Sequence, residues 1–341
     1  MAVTGTNGTS GTSGSGTGGT AGPVPGNPGD TGHDVVVVGG GAAGLSAALV
    51  LARARRRVAV VDAGQPRNAP AEHMRGFLTR DGMPPAALLE AGRAELAGYG
   101  VDLLDARVDH IDPLPSGAGP GFAVYLAGGP ALRARRVAVA TGLRDGLPEL
   151  PGLAGRWGRD VLHCPYCHGY EVRDRPLGVL GTHPGAVQQA LLVRQWSADV
   201  VLLAHDLELS ADDRARLDAR GVRVVEGRIK RLVVTGDRLR GVELADGTAV
   251  PREAVFLFPH MVPRDALLFG LDCERDAQGW VTTDRTGRTS VPGVWAVGNV
   301  ADPRAQVVTA AGAGAAAAFA LNHDLVDEDV ERALAAFTTA V

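Results

Sequence analysis

The sequence predicts an α/β protein built on a parallel sheet that binds a dinucleotide, and three observations predict it. The first is a β-branched run, DVVVV (34–38), followed without a gap by the glycine turn GGGAAG (39–44) and the Ala/Leu-rich stretch LSAALVLARARR. The second is another apolar run, RVAVV (57–61), which ends at Asp62. The third is a pair of distant strand ends, VAVATG (137–142) and VPGVWAVGN (291–299), each closing on a small turn.

Each element has a physical reason. Four consecutive valines without polar alternation suit a strand buried on both faces. Gly39, Gly41 and Gly44 then fit G-x-G-x-x-G in the required setting between strand and helix. Gly39 makes the turn, Gly41 lets a pyrophosphate approach the backbone, and Gly44 permits close packing of helix on strand, with the helix N-terminus facing the phosphates. Ala43 belongs to the same cofactor-binding turn. Asp62 lies about 20 residues past the glycines, where a carboxylate bonds a ribose hydroxyl. A ligand-free glycine turn is the alternative, but strand, turn, helix and acid in this order read as a Rossmann-like nucleotide site. Thr141, Gly142, Gly298 and Asn299 join the candidate cofactor-binding residues, because open parallel sheets bind ligands at their carboxyl ends. In GQPRN (64–68), Arg67 and Asn68 are candidates for phosphate or adenosine contacts, with a surface turn as the alternative.

The chain has 341 residues, enough for two domains, with 45% apolar and 21% charged residues. A net charge of −4 argues against a nucleic-acid partner. The first 33 residues are mostly Gly, Ser, Thr and Pro with almost no large apolar side chain, so they are expected to be disordered and not to be a signal peptide. The valine and alanine runs are a strand–turn–helix and a short Ala-rich helix rather than membrane spans, which implies no membrane partner and a cytoplasmic location.

Three cysteines make an odd count, which speaks against a secreted disulfide framework and for a reducing compartment. Cys273 stands alone and reads as buried filler. Cys164 and Cys167 form a C-x-x-C inside HCPYCHGYE (163–171), with His163 and His168 on either side. A thiolate is the attacking species in disulfide exchange, and a helix start beside an imidazole favours it. His168 is a candidate acid/base, against a satisfied surface imidazole, and His163 stays undecided between the two. A zinc site is the other use of such donors, but four of them within six consecutive residues do not easily surround a metal, and no second knuckle exists. No metal is expected.

Together GGGAAG, ATG, the central C-x-x-C and the C-terminal AVGN before an Ala/Gly helix resemble the low-molecular-weight thioredoxin reductases over roughly residues 33–325. The family's fold would give two Rossmann-like domains, the second inserted into the first. The resemblance implies an FAD-binding domain over 34–148 and 262–341, an inserted NAD(P)-binding-like domain over 149–261 that carries the cysteines, and a homodimer. CPYCHGYE is similar to the motif of the FAD-dependent dithiol oxidases of gliotoxin and holomycin biosynthesis, where a His follows the second Cys. By that resemblance Cys167 lies against the flavin, Cys164 is the interchange thiol, and His168 is the acid/base. Asn299 stands where the family commonly has Asp beside the ribityl chain, and an amide retains an acceptor there. Gln306 opens the last helix, whose N-terminus would face the flavin pyrimidine.

A second turn, PLGVLGTHPGA (176–186), departs from the family's NADPH fingerprint. Gly181 holds the first glycine position, but His183 fills the second, where the backbone must approach a pyrophosphate, and Pro184 stiffens the turn. The next strand, DVVLLAHD, ends at Asp206, which would repel a 2′-phosphate that relatives meet with arginines. A shifted loop through Gly185 that still holds a cofactor, or an NAD-like use of Asp206, is the alternative. The expectation is an FAD-dependent thiol–disulfide oxidoreductase that makes little use of NADPH. It would oxidise a small-molecule dithiol or a small-protein thiol, with molecular oxygen as acceptor. The competing readings are an NAD(P)H-dependent thioredoxin-disulfide reductase, a flavin-holding redox sensor without turnover, and a structural zinc protein.

Overall fold

The computed structural model describes residues 32–115 and 121–340. The expected glycine-rich tail therefore lies outside the described residues, apart from Gly32 and from His33, which opens the first strand.

Strand β1 (His33–Val38) has its whole valine run buried, and helix α1 (Ala42–Arg53) follows. The helix starts inside the glycine fingerprint rather than after it, because Ala43 and Gly44 already form its first turn. It stops before the last arginines of the apolar stretch, where Arg55 takes a left-handed φ of 64°. β2 (Val58–Asp62) runs parallel to β1, with Val38 opposite Val61. After α2 (Pro85–Ala97) come β3 (Asp102–Asp105), β4 (Val108–Leu114), β5 (Gly121–Leu126) and β6 (Ala131–Val139), and then a short β7 (Leu143–Gly146).

The next stretch carries β8 (Val161–Leu162), the four-residue helix α3 (Pro165–His168), β9 (Leu177–Leu180), α4 (Ala186–Val193), β10 (Val200–Leu203), α5 (Ala211–Ala219) and β11 (Arg223–Val225). Strands β12 (Ile229–Thr235), β13 (Arg238–Leu244) and β14 (Ala249–Pro251) form an antiparallel sheet, and β15 (Ala254–Phe256) returns to the second parallel one. β16 (His260–Pro263) pairs antiparallel with β7. The chain closes with α6 (Ala266–Gly270), β17 (Val294–Ala296) and the long α7 (Val307–Ala340).

Two sheets position the site. Among the described residues the first has the order β3-β2-β1-β6-β5-β4, and β17 pairs with the end of β6. β6 is long enough to serve two neighbours on one side: its first half takes β5 antiparallel and its last three residues take β17 parallel. The second sheet, β11-β10-β9-β15-β8, is parallel throughout. Both repeat the same local logic, a fully buried apolar strand delivering the chain into a turn and then a helix. This is an α/β fold with two Rossmann-like halves, as expected. α7 crosses α1 so closely that a Cβ on Gly314 would overlap the carbonyl of Ala43. The buried face of α7 is held by ion pairs to the first sheet, Arg136 to Asp324 and Glu328, and Arg135 to Asp329.

Candidate functional site: a nucleotide cavity that ends at a disulfide

The carboxyl ends of β1, β2, β6 and β17 open on one cavity of about 1000 Å³ that reaches the C-x-x-C. Of the candidate residues, Gly39, Gly41, Ala43, Asp62, Arg67, Asn68, Thr141, Gly142, Cys164, Cys167, His168, Gly298, Asn299 and Gln306 all line it. Gly44 does not. It lies beneath the turn, where a Cβ would overlap the carbonyl of Gly39. Gly39 has φ 110° and passes close to the carbonyl of Ala140, while a Cβ on Gly41 would meet nothing within 4 Å. The turn is thus tight at its first and last glycines and open at the middle one. A dinucleotide pyrophosphate needs that opening beside the N-terminus of α1. The residues present fit FAD.

The polar groups around the cavity are fixed by partners from far along the chain. Asp62 Oδ2 accepts from Arg93 of α2 at 2.5 Å and lies against Gly40, which leaves Oδ1 as its other acceptor. Arg67 forms a two-point pair with Asp145, 2.9 and 2.7 Å, so its guanidinium is already committed within the protein and does not stand free for a phosphate. The hydroxyl of Thr141 donates to the carbonyl of Arg264, 2.6 Å. The Asn299 amide donates to the carbonyls of Asp302 and Ala305, both at 2.9 Å, and so shapes the loop that leads into α7. The last helix begins at Val307, one residue later than expected, because Gln306 supplies the carbonyl that accepts its first turn from Ala310.

At the other end of the cavity Cys164 and Cys167 are joined by a disulfide, with Cα atoms 5.2 Å apart. Cys164 caps α3, and its carbonyl accepts from the N–H groups of Cys167 and His168. Pro165 at the first helical position favours this start. Trp196 buttresses the short helix, since a Cβ on Gly169 would press into its indole, and Tyr166 stands 67% exposed with its ring edge-on to Trp196. Arg75 pairs with Glu171 at 3.1 Å and ties the 73–82 loop to the segment after the cysteines. Burial holds the His168 imidazole below its ordinary pKa; Glu171 opposes this and Arg75 adds to it. Burial also lowers His163, against its hydrogen bond to the carbonyl of Leu257. Cys273 is buried beside Thr289, and burial raises its thiol pKa. Among the described residues no three metal-ligating side chains share a site.

The second turn is filled by its own side chain. His183 Nδ1 accepts the N–H of Gly185 at 2.9 Å, and its ring stacks on Phe258 with centroids 4.8 Å apart. The charge of Asp206, expected to repel a 2′-phosphate, is met within the protein: Arg228 reaches it with two hydrogen-bonding groups at 3.0 Å, and His205 Nε2 lies 3.2 Å away. Arg228 comes from just before β12, about two dozen positions downstream, and no local pattern marks it. Arg93, Asp145, Gln189, Phe258 and Arg264 escape sequence reading for the same reason.

A sequence model of the family described as pyridine nucleotide-disulphide oxidoreductase matches residues 33–315. Thioredoxin reductase sirT of Leptosphaeria maculans is 31% identical over 87% of this chain and 95% of its own length. Thioredoxin reductase aclD of Aspergillus oryzae is 36% identical over 78% of this chain and 88% of its own. The crystal structure of HlmI superposes with a TM-score of 0.89 and is 65% identical, covering 91% of this chain and 98% of that one.

Proposed function

We propose, because the chain belongs to the pyridine nucleotide-disulphide oxidoreductase family and ends its cofactor cavity at a C-x-x-C disulfide, that it oxidises a dithiol substrate to a disulfide with molecular oxygen as acceptor. The protein is a thioredoxin reductase-like FAD flavoprotein and an oxidoreductase enzyme. The finer reading rests on one observation. His183 occupies the turn that NADPH would need, and it spends on itself the Gly185 amide at the start of α4 that a pyrophosphate would take. With that route closed, electrons enter as thiols.

In this reading Gly39, Gly41, Ala43, Gly44, Asp62, Thr141, Gly142, Gly298, Asn299 and Gln306 hold or frame the cofactor, with Asn68 beside them and Arg67 acting through Asp145. When bound, FAD supplies two-electron acceptor chemistry to the reduced cysteine pair. Cys164 meets the substrate thiolate and Cys167 is its leaving group toward the cofactor, with His168 as proton acceptor. The overall balance is dithiol plus oxygen to disulfide plus hydrogen peroxide. Residues 34–148 and 262–341 form the flavin part and 149–261 the insert.

Two further assignments belong to the same reading. Phe319, Val326, Val330, Leu334 and Phe337 make one exposed stripe along α7, opposite its ion-paired face, and this stripe serves as the seam of a homodimer. Leu334→Glu should shift the protein to monomer in sedimentation, and an unchanged dimer would move the seam elsewhere. Three cysteines, one pair redox-active and one buried, suit the cytoplasm.

An NAD(P)H-fed thioredoxin reductase is the second reading, favoured by Arg228, which would meet a 2′-phosphate if it left Asp206. Anaerobic absorbance titration separates the two. Bleaching of the flavin by dithiothreitol but not by NADPH or NADH, reversed by air with peroxide release, is the expected result. Fast bleaching by NADPH would establish the reductase.

A further inference from the structure

We propose that His163 is a second proton acceptor at the disulfide, acting beside His168, and that Leu257 and Gln189 hold it in the one tautomer suited to the task. The inference rests on thiol exchange at Cys164–Cys167.

The tautomer follows from the partner. His163 Nδ1 lies 3.2 Å from the carbonyl oxygen of Leu257, and a carbonyl only accepts. Nδ1 therefore carries the ring proton, and Nε2 keeps its lone pair. The placement is reinforced from α4. Gln189 is buried, and its Nε2 donates both to Leu257 O, 3.2 Å, and to the carbonyl of His163 itself, 2.8 Å. One side chain thus fixes the backbone immediately before Cys164 and the carbonyl that orients the ring. Phe258 meets the His163 ring edge-on, centroids 5.0 Å apart, while stacking on His183 with its face. The imidazole that plugs the second turn and the imidazole beside the disulfide are therefore parts of one packed group. His163 and His168 both line the cavity with the two sulfurs.

The chemistry releases two protons, and two imidazoles stand at the site to take them. In the first step one substrate thiol gives its proton to an imidazole and its thiolate attacks Cys164 Sγ; the Cys164–Cys167 bond breaks and the electron pair leaves on Cys167. In the second step the other substrate thiol gives up its proton and attacks the substrate sulfur held by Cys164; that mixed disulfide breaks and the pair leaves on Cys164. The substrate loses two electrons, which the enzyme disulfide gains, and the two protons reside on His163 and His168, opposite two thiolates. Both rings are half-buried, and burial holds both below the ordinary imidazole pKa, so each starts neutral with a lone pair to offer. The charged groups acting on His163 are Arg67, its partner Asp145, and His168. Arg67 and Asp145 form a closed pair and largely offset each other.

The test is stopped-flow reduction of the holoprotein by dithiothreitol without oxygen, followed from pH 6 to about pH 10. His163→Asn retains a donor for Leu257 but has no base. It should lower the rate near pH 7 by roughly 100-fold, the usual scale of general-base assistance. The deficit should shrink to a few-fold above about pH 9.5, where a simple thiol is already ionised. No deficit at pH 7 overturns the proposal, and so does an equal deficit at every pH, which is what a merely structural role produces. Gln189→Leu, which leaves the imidazole in place but removes its anchor, should give a milder deficit with the same pH trend. If His163→Asn does not retain flavin, a Gln189→Leu rate equal to that of the unaltered protein overturns the proposal instead. Any thiol opens the disulfide by exchange, so this readout does not depend on oxygen. Aerobic peroxide release is scored separately, and its absence would sink the oxidase reading while leaving the His163 result standing.

Discussion

The two glycine turns of this protein share a frame and differ in what stands at its centre. In each, the first glycine donates its N–H to the end of the neighbouring strand, Gly39 to Val61 at 2.8 Å and Gly181 to Leu203 at 2.7 Å. Both pass so close to the next backbone segment, Ala140 in one and Ala204 in the other, that no Cβ would fit. An aspartate paired to an arginine stands at or just past the end of each neighbouring strand, Asp62 with Arg93 and Asp206 with Arg228. At the middle position the first turn has Gly41, facing open space, and the second has His183, folded back onto its own helix. The strand–turn–helix geometry therefore does not depend on the middle residue, because strand burial and the first close approach maintain it. Approach of a pyrophosphate needs, in addition, a middle residue that leaves room.

The widest consequence of this contrast is that all electron flow should pass through the cysteines. Cys164→Ser is expected to abolish dithiol-driven flavin reduction, by at least about 1,000-fold, since an alkoxide neither attacks nor leaves as a thiolate does. Flavin content should stay unchanged in the purified protein. Normal dithiol turnover in both Cys164→Ser and Cys167→Ser would remove the C-x-x-C from the site.

The next experiment imposes the second turn on the first. Gly41→His should fold, because a Cβ there meets nothing, yet should weaken FAD binding by on the order of 100-fold by blocking the pyrophosphate approach. Flavin content after dialysis measures it, and a fully yellow variant would mean that the middle glycine is not where the two turns part. The reverse change, His183→Gly, frees the Gly185 amide but leaves Asp206 in place. It should raise NADPH-driven reduction less than about tenfold, within the range of a single lost contact. A larger gain would identify His183 as the main barrier and sharpen the comparison to one residue.

The smallest effect is on stability against pH. Burial holds His163, His168 and His183 below the ordinary imidazole value. The unfolded chain then binds protons more readily than the fold does. The stability linked to these rings is complete above the ordinary imidazole pKa and is lost as pH falls through it toward the folded values. The melting temperature should drop by a few degrees between pH 7.5 and pH 5.5, and by less in His183→Gly, which removes the second turn's share. An identical drop in that variant would show that the plug carries none of it.

Much of this architecture was legible in the chain itself. The valine run, GGGAAG and Asp62 lie within thirty residues of one another, and their chemistry depends on spacing along one strand–turn–helix unit. Only the edges moved: α1 begins inside the fingerprint, since the last glycine position is already helical. The same holds for CPYC, whose spacing at a helix start is a local property, and for His183, whose residue type alone conflicts with a pyrophosphate at that place. Arg67 was different. Its type suggested a phosphate, but Asp145 lies far downstream in sequence and only 2.7 Å away in space.

By itself, then, the sequence determined the α/β class, the nucleotide turn, the paired cysteines and the histidine in the second turn, because each is a matter of neighbours within one element. Tertiary structure alone decided which side chains are already spent. It paired Asp62 with Arg93, Arg67 with Asp145 and Asp206 with Arg228, and it set Leu257, Gln189 and Phe258 around His163. These partners meet only because strands from separate parts of the chain lie side by side in the fold. A hydrogen bond or ion pair depends on distance and direction in space, for which sequence separation is no guide.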